Sequence, residues 1–218
     1  MLLKLGKQKQ VEIQPWKTKT KKEFLTVIKN KQDKLDENDI FNILIKPYIT
    51  PNDIYLSDDE IQWIMINIRN ISLDNNMNFL VECSCGNDIE IKCKLMDLCK
   101  YTENQYPIIK DDIAWRDIKN KDELIKNQKT NEDEIPKIIE MLSHIDKIEG
   151  KSLPFSDIVE YNDDLPLNDG NKMLETYDEI KSTIVISYVA ECPNCKKTKT
   201  FKFENIPNFF DPLLPKEL

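Results

Sequence analysis

The sequence predicts an α+β fold: a split pair of ribbon-like β-hairpins, a helical N-terminal segment before them, and a long helical insert between them. Three observations carry this reading. Apolar residues recur at helical spacing behind a capping box, Ser57-Asp58-Asp59-Glu60. The period then changes to two on both sides of Cys83-Ser84-Cys85-Gly86. The same strand, Glu-Cys and strand pattern returns around Cys192-Pro193-Asn194-Cys195.

The chain has 218 residues, enough for one large domain or two small ones. It divides into residues 1–56, an N-terminal hairpin and helices; 57–99, the capped helix and first cysteine hairpin; 100–182, an acidic helical insert; and 183–218, the second cysteine hairpin and a C-terminal tail. Hydrophobic residues make up 40% and charged residues 32%, a globular balance rather than a disordered or membrane one. No apolar run approaches the roughly 20 residues that span a bilayer. The opening Met-Leu-Leu-Lys-Leu is too short an apolar stretch for a signal peptide. A cytoplasmic setting follows as the expectation, with reduced thiols that serve more often as metal ligands than as bridges.

Basic residues comprise 29 Lys and only Arg69 and Arg116, a bias that AT-rich codon usage explains. Planar recognition of phosphate and base edges favours Arg. With a net charge of −8 as well, the composition argues against a nucleic-acid partner. The charge is uneven: residues 1–30 hold eight Lys and two Glu, against a strongly acidic remainder. A basic arm on an acidic body suits an acidic partner, although a solvated surface is the plainer reading.

In chain order, residues 2–16 alternate around Gly6, and a short hairpin with its turn near Lys7–Gln10 is expected. Thr18 or Thr20 caps a helix over about Lys21–Lys31 that buries Phe24, Leu25 and Ile28. A second helix over Asp36–Ile45 stops at Pro47, and Pro51 and Asp53 mark a turn. Behind Ser57, residues Ile61, Ile64, Met65, Ile68 and Ile71 form one buried helical face. Phe79–Val81 leads into the first cysteine pair, and Ile89, Ile91, Cys93 and Leu95 alternate after it, which makes a hairpin. Within 100–182, one helix spans Ile135–Ile145 and ends near Gly150, and another carries Met173, Leu174, Tyr177 and Ile180. One strand is expected between Pro107 and Trp115. Thr183–Val189 and Lys199–Phe203 form the closing hairpin. Matching Cys85 to Cys195 sets Ile91 against Phe201 and Cys93 against Phe203, an imperfect internal repeat of one hairpin.

Structural zinc takes four N or S ligands in a tetrahedron, and two facing knuckles supply four thiolates. Cys83, Cys85, Cys192 and Cys195 are therefore the candidate ligands of a structural zinc ion in a zinc-ribbon-like arrangement. Gly86 permits the backbone turn of a knuckle. Cys83-Ser84-Cys85 has one residue between its cysteines, where two is the usual spacing. Three readings compete with zinc. One is a Cys-Pro-x-Cys redox pair, which requires a strand-to-helix context. Another is a disulfide framework. The third is a degenerate knuckle without metal, with Cys93 as a substitute ligand. Cys93 and Cys99 otherwise read as small packing residues.

Catalytic constellations are missing. His144, the single histidine, falls beside the stripe Ile135–Ile145 and reads as solvent-facing. Four glycines cannot compose a phosphate loop. Asp58 and Asp59 suit a helix N-terminus. No enzymatic activity is expected. Trp16, Trp63 and Trp115 read as packing residues. Phe209 and Phe210 near the C-terminus are candidate partner anchors, unless they dock back on the core.

Taken in order, these elements resemble a known family. They are a basic hairpin ending Val11-Glu-Ile-Gln-Pro15, then Lys21-Lys-Glu-Phe-Leu25 opening a helix, Leu56-Ser-Asp-Asp59, and Ile68-Arg-Asn-Ile-Ser72. A Cys-x-Cys-Gly hairpin ending Met96-Asp-Leu98, a second Cys-x-x-Cys hairpin, and Phe209-Phe210 follow. The chain is similar to the T4-type bacteriophage baseplate hub assembly family over nearly its whole length. The resemblance implies a tail-morphogenesis protein in the host cytoplasm during assembly, or a component of the virion tail. Its partners would be baseplate hub or other tail proteins, with no membrane. A zinc-ribbon nucleic-acid adaptor of the late-transcription type is the alternative, and a thiol oxidoreductase ranks third.

Overall fold

Helix α3 (Asp58–Ser72) is the member around which the other elements are arranged. Its N-terminus forms as the capping box requires: Glu60 N–H reaches Ser57 Oγ at 3.4 Å, and Glu60 Oε2 accepts from Ser57 N–H at 3.0 Å. The computed structural model describes residues 1–31, 37–118, 121–130, 135–204, 206, 209–210 and 213. A single buried face is too narrow a description of α3. Ile64 and Ile68 enter the N-terminal core, while Ile66 enters the core beneath the cysteine hairpins.

On the first side lies a three-stranded antiparallel sheet of β1 (Leu2–Lys4), β2 (Gln10–Ile13) and β3 (Ile49–Thr50), in the order β1-β2-β3. Helix α1 (Thr18–Lys31) buries Phe24 against it. The short α2 (Glu37–Ile40) runs on as a π-helical turn over Phe41–Ile45 and a 3-10 turn over Lys46–Tyr48. Pro47 therefore does not end the helical path. It sits at the start of a new turn, where its missing N–H is no loss. The expected start of this helix at Asp36 lies outside the described residues.

On the second side are the hairpins. Strands β4 (Asn76–Glu82) and β5 (Asp88–Lys94) pair antiparallel, with Phe79 opposite Ile91 and Val81 opposite Ile89. Helix α4 (Leu95–Leu98) leads into β6 (Cys99–Thr102). Later, β10 (Thr183–Glu191) and β11 (Thr198–Phe203) form the second hairpin, with Tyr188 opposite Phe201. Strand β6 adds to its other edge, giving the order β11-β10-β6. The two hairpins press their apolar faces together, with Phe79 and Phe203 edge to face at 5.5 Å between ring centroids.

The insert is less helical than its pattern suggests. Strands β7 (Ile108–Lys110), β8 (Ile113–Trp115) and β9 (Ile145–Ile148) form a sheet in that order. Helices α5 (Lys121–Thr130), α6 (Pro136–Ser143), α7 (Phe155–Asp163) and α8 (Leu167–Ile180) complete it. The single strand expected between Pro107 and Trp115 is a hairpin, turned by Asp111 and Asp112 at φ 53° and 59°. The expected Ile135–Ile145 helix ends at Ser143, and Ile145 and Ile148 belong to a strand. Their three-residue spacing continues the helical pattern in the sequence while the chain changes direction at His144.

Candidate metal centre

Each cysteine pair is set by a loop that closes on itself. Cys83 N–H donates to Asn87 carbonyl at 2.9 Å, and Gly86 N–H donates to Cys83 carbonyl at 2.8 Å. In the second loop Cys192 N–H donates to Lys197 carbonyl at 3.0 Å, and Lys196 N–H to Cys192 carbonyl at 2.9 Å. Gly86 and Lys196 each follow the second cysteine of their pair, and both have positive φ, 77° and 60°. The two loops are the same device. The missing residue of Cys83-Ser84-Cys85 is taken out of the span between the cysteines, and the closing bonds survive.

The two tips face each other and bring four sulfurs together. Cys83 Sγ lies 3.8 Å from Cys195 Sγ, and Cys85 Sγ lies 3.7 Å from Cys192 Sγ. All four are within 4.8 Å of one another. A tetrahedron with metal–sulfur bonds of about 2.3 Å has an S···S edge of about 3.8 Å, so the donor set fits one tetrahedral ion. Four thiolates are the donor set of zinc or of iron–sulfur chemistry. Cys83 and Cys192 are buried, Cys195 is half-buried and Cys85 is exposed.

The backbone favours thiolates here. The Cys85 N–H holds the Cys83 thiol down at about 6. The Cys195 and Asn194 N–H groups lower Cys192 in the same way. At Cys195 the Lys197 N–H favours the thiolate, but desolvation and the hydrogen bonds to its three neighbouring sulfurs outweigh it and push the thiol up to about 11. Asn194 Nδ2 approaches Cys85 Sγ at 3.9 Å. Such N–H···S contacts spread the charge that four thiolates bring to a divalent ion.

The other sequence-predicted residues lie elsewhere. Cys93 pairs with Met77 across the first hairpin and packs with Cys99 on the core beneath it. Burial pushes both thiols up, Cys99 to about 12. Neither belongs to the four-sulfur cluster. Phe209 and Phe210 do not form a free aromatic anchor. Phe209 is 6% exposed, lies under the Arg69 guanidinium at 5.0 Å, and its carbonyl accepts from Arg69 Nε at 2.9 Å. Phe210 packs on Phe24 with ring centroids 5.4 Å apart. The pair ties the C-terminal turn to the body.

Sequence reasoning missed a buried polar seam where the N-terminal sheet, α3 and the insert meet. Glu60, 1% exposed, accepts from Lys9 Nζ at 2.7 Å and from Asn104 Nδ2 at 3.2 Å. Lys9 also reaches Asp117 at 3.2 Å. Burial raises the Glu60 carboxyl, against the pull of Lys9. His144 lies beside this seam, buried rather than solvent-facing, with its Nδ1–H donating to Arg116 carbonyl at 2.8 Å. The seam lines a partly open pocket of about 80 Å³.

Fold and site define an α+β protein whose two hairpins converge on one four-cysteine cluster. A family model described as T4 bacteriophage base plate protein matches residues 2–211, and the chain belongs to that family. No curated protein and no solved structure matches it. Among the described residues no helix is long and apolar enough to cross a membrane.

Proposed function

We propose that this chain works in assembly of the phage baseplate hub, as an assembly factor or a structural component, through protein–protein contacts and without catalysis. Membership of the baseplate family carries this reading. Its partners would be hub or other tail proteins, met in the host cytoplasm during assembly and kept in the virion tail if the chain is a component. The ion held by Cys83, Cys85, Cys192 and Cys195 would be structural zinc, supported by the tetrahedral fit and a donor set without histidine or carboxylate. Zinc would pin the two hairpin tips and so preserve the surface the chain presents. The cysteines would bind it as thiolates and release protons on doing so.

Co-expression with the hub proteins of the same phage tests the assembly role. A complex surviving size-exclusion chromatography is expected; a chain that elutes alone beside every tail protein overturns the reading. Native mass spectrometry tests the ion. One zinc per chain is expected, absent in Cys192→Ser, and a metal-free wild type overturns that assignment.

A further inference from the structure

The four sulfurs are placed for a second kind of link. We propose that in the metal-free chain a peroxide-class oxidant joins Cys83 to Cys195 and Cys85 to Cys192, so that two disulfides take over the metal's role of tying the hairpins. This rests on the metal reading above only in that metal-bound thiolates are shielded.

Three observations point to these pairs. First, two close sulfur approaches, 3.8 Å from Cys83 to Cys195 and 3.7 Å from Cys85 to Cys192, both run between hairpins. Second, the hairpins are held together beneath the sulfurs by packing that needs no ion: Ile89 and Phe201 share a cluster with Cys83 and Cys192, and Phe79 meets Phe203 just below. Third, each loop is closed by its own backbone bonds, which fix both cysteines of a pair toward the opposite tip. A bridge within Cys83-Ser84-Cys85 would break that closure and strain the bond, since disulfide geometry is narrow. A bridge within the second pair would then strand the first.

The exposed Cys85 is the entry point. Its thiolate attacks one peroxide oxygen; the O–O bond breaks, sulfenic acid forms, and hydroxide leaves and takes a proton as water. The Cys192 sulfur then attacks the sulfenic sulfur, the S–O bond breaks, and a second water leaves. A second peroxide joins Cys83 and Cys195 in the same way. Each bridge consumes one peroxide and two thiol hydrogens. Cys93 and Cys99 stay reduced in their packed surroundings.

The test uses the full chain, stripped of metal by a chelator under reductant, desalted, treated with hydrogen peroxide, alkylated and digested without reduction. The expected product is a peptide around Cys83 and Cys85 linked to one around Cys192 and Cys195, with four hydrogens lost. Two variants resolve the pairing. Cys83→Ser with Cys195→Ser leaves Cys85 and Cys192 of the four, and should bridge several-fold faster than Cys83→Ser with Cys192→Ser, which leaves Cys85 and Cys195; both keep the exposed entry thiol. Bridges within each peptide, sulfinic acids, equal rates, or a metal-free chain too unfolded to link overturn the proposal. Native mass spectrometry of the untreated chain separates the two readings. Zinc with bridges inside each pair leaves the metal reading standing alone, while no zinc with bridges between hairpins leaves the disulfides standing alone.

Discussion

His144 offers the sharpest test of how the insert is packed. Its ring is 4% exposed and stacks on Tyr106 at 4.6 Å between centroids, with Tyr177 at 5.5 Å. Burial holds the imidazole down at about 4, against the partial support of its bond to Arg116 carbonyl. In the unfolded chain it titrates near 6.5. The unfolded state therefore binds a proton that the folded state refuses between those values. Stability from this residue is intact above about pH 6.5 and falls as pH drops toward 4. A separation of some 2.5 pKa units gives a loss of about 3 kcal/mol by pH 4. Glu60 works in the opposite direction, since its raised carboxyl takes a proton more readily in the folded state. Acid release of a metal bound at the cysteines would add a further slope. The comparison with His144→Phe removes both, because the two chains share them. The variant keeps the stack, loses one hydrogen bond at every pH, and lacks the titration. Urea unfolding from pH 7.5 to 4 should show wild type losing about 3 kcal/mol relative to the variant. A difference flat across that range would refute the assignment of a buried, neutral imidazole.

Three further substitutions probe single backbone and packing features. Lys196→Gly relieves a left-handed residue in the second loop, φ 60°, and should raise stability by about 0.5–1 kcal/mol in thermal unfolding of the metal-loaded chain. Gly6→Ala places a Cβ 2.3 Å from Asn104 Oδ1, and should cost about 1–3 kcal/mol in urea unfolding. In an Asn104→Ala background the same change should cost much less, a coupling that only direct contact produces. Ser57→Ala removes the hydroxyl half of the α3 capping box and should cost about 1 kcal/mol in the same assay.

What the sequence made legible follows from the length of each signal. The capping box and the long apolar repeat behind it located the start of α3, and two hairpins with strands of six to nine residues declared themselves. The cysteine pairs could be placed at hairpin tips because a strand pattern flanks each on both sides. Strands β6 to β9 are three or four residues long, too short to show a period, and β6 is recognisable only through its distant partner β10. His144 was misread because the helical pattern runs through it while the backbone turns. Lys9, Glu60 and Asn104 each look like a surface residue alone, and only the tertiary fold brings a cation, a carboxylate and an amide into one buried place. The tight Cys83/Cys85 spacing was a fair worry in the sequence. The matching loop bonds show that a knuckle can lose a residue between its cysteines and still aim both sulfurs.

A metal ion held by the four cysteines would reach less far than their sequence separation implies. The cysteine pairs stand 107 and 112 residues apart, which suggests an ion that clamps the whole insert. Yet β6 opens the insert and β10 closes it, and the two pair directly, Thr102 with Thr183 and Cys99 with Ile186. The Glu60 seam fastens the insert to the N-terminal body independently. With those contacts formed, the loop left for a bound metal to close would be only the two hairpin arms, and closure entropy grows with that short loop, not with the full separation. Metal removal should then loosen the tips and spare the insert. Amide hydrogen exchange on the chelated chain is expected to speed up several-fold at the tips, residues 83–87 and 192–197, with the strands beneath them, α8 and β6 near their metal-loaded rates. Equal acceleration across 103–182 would show instead that the insert is held by the ion, and the strand pairing would then be too weak to act as its hinge.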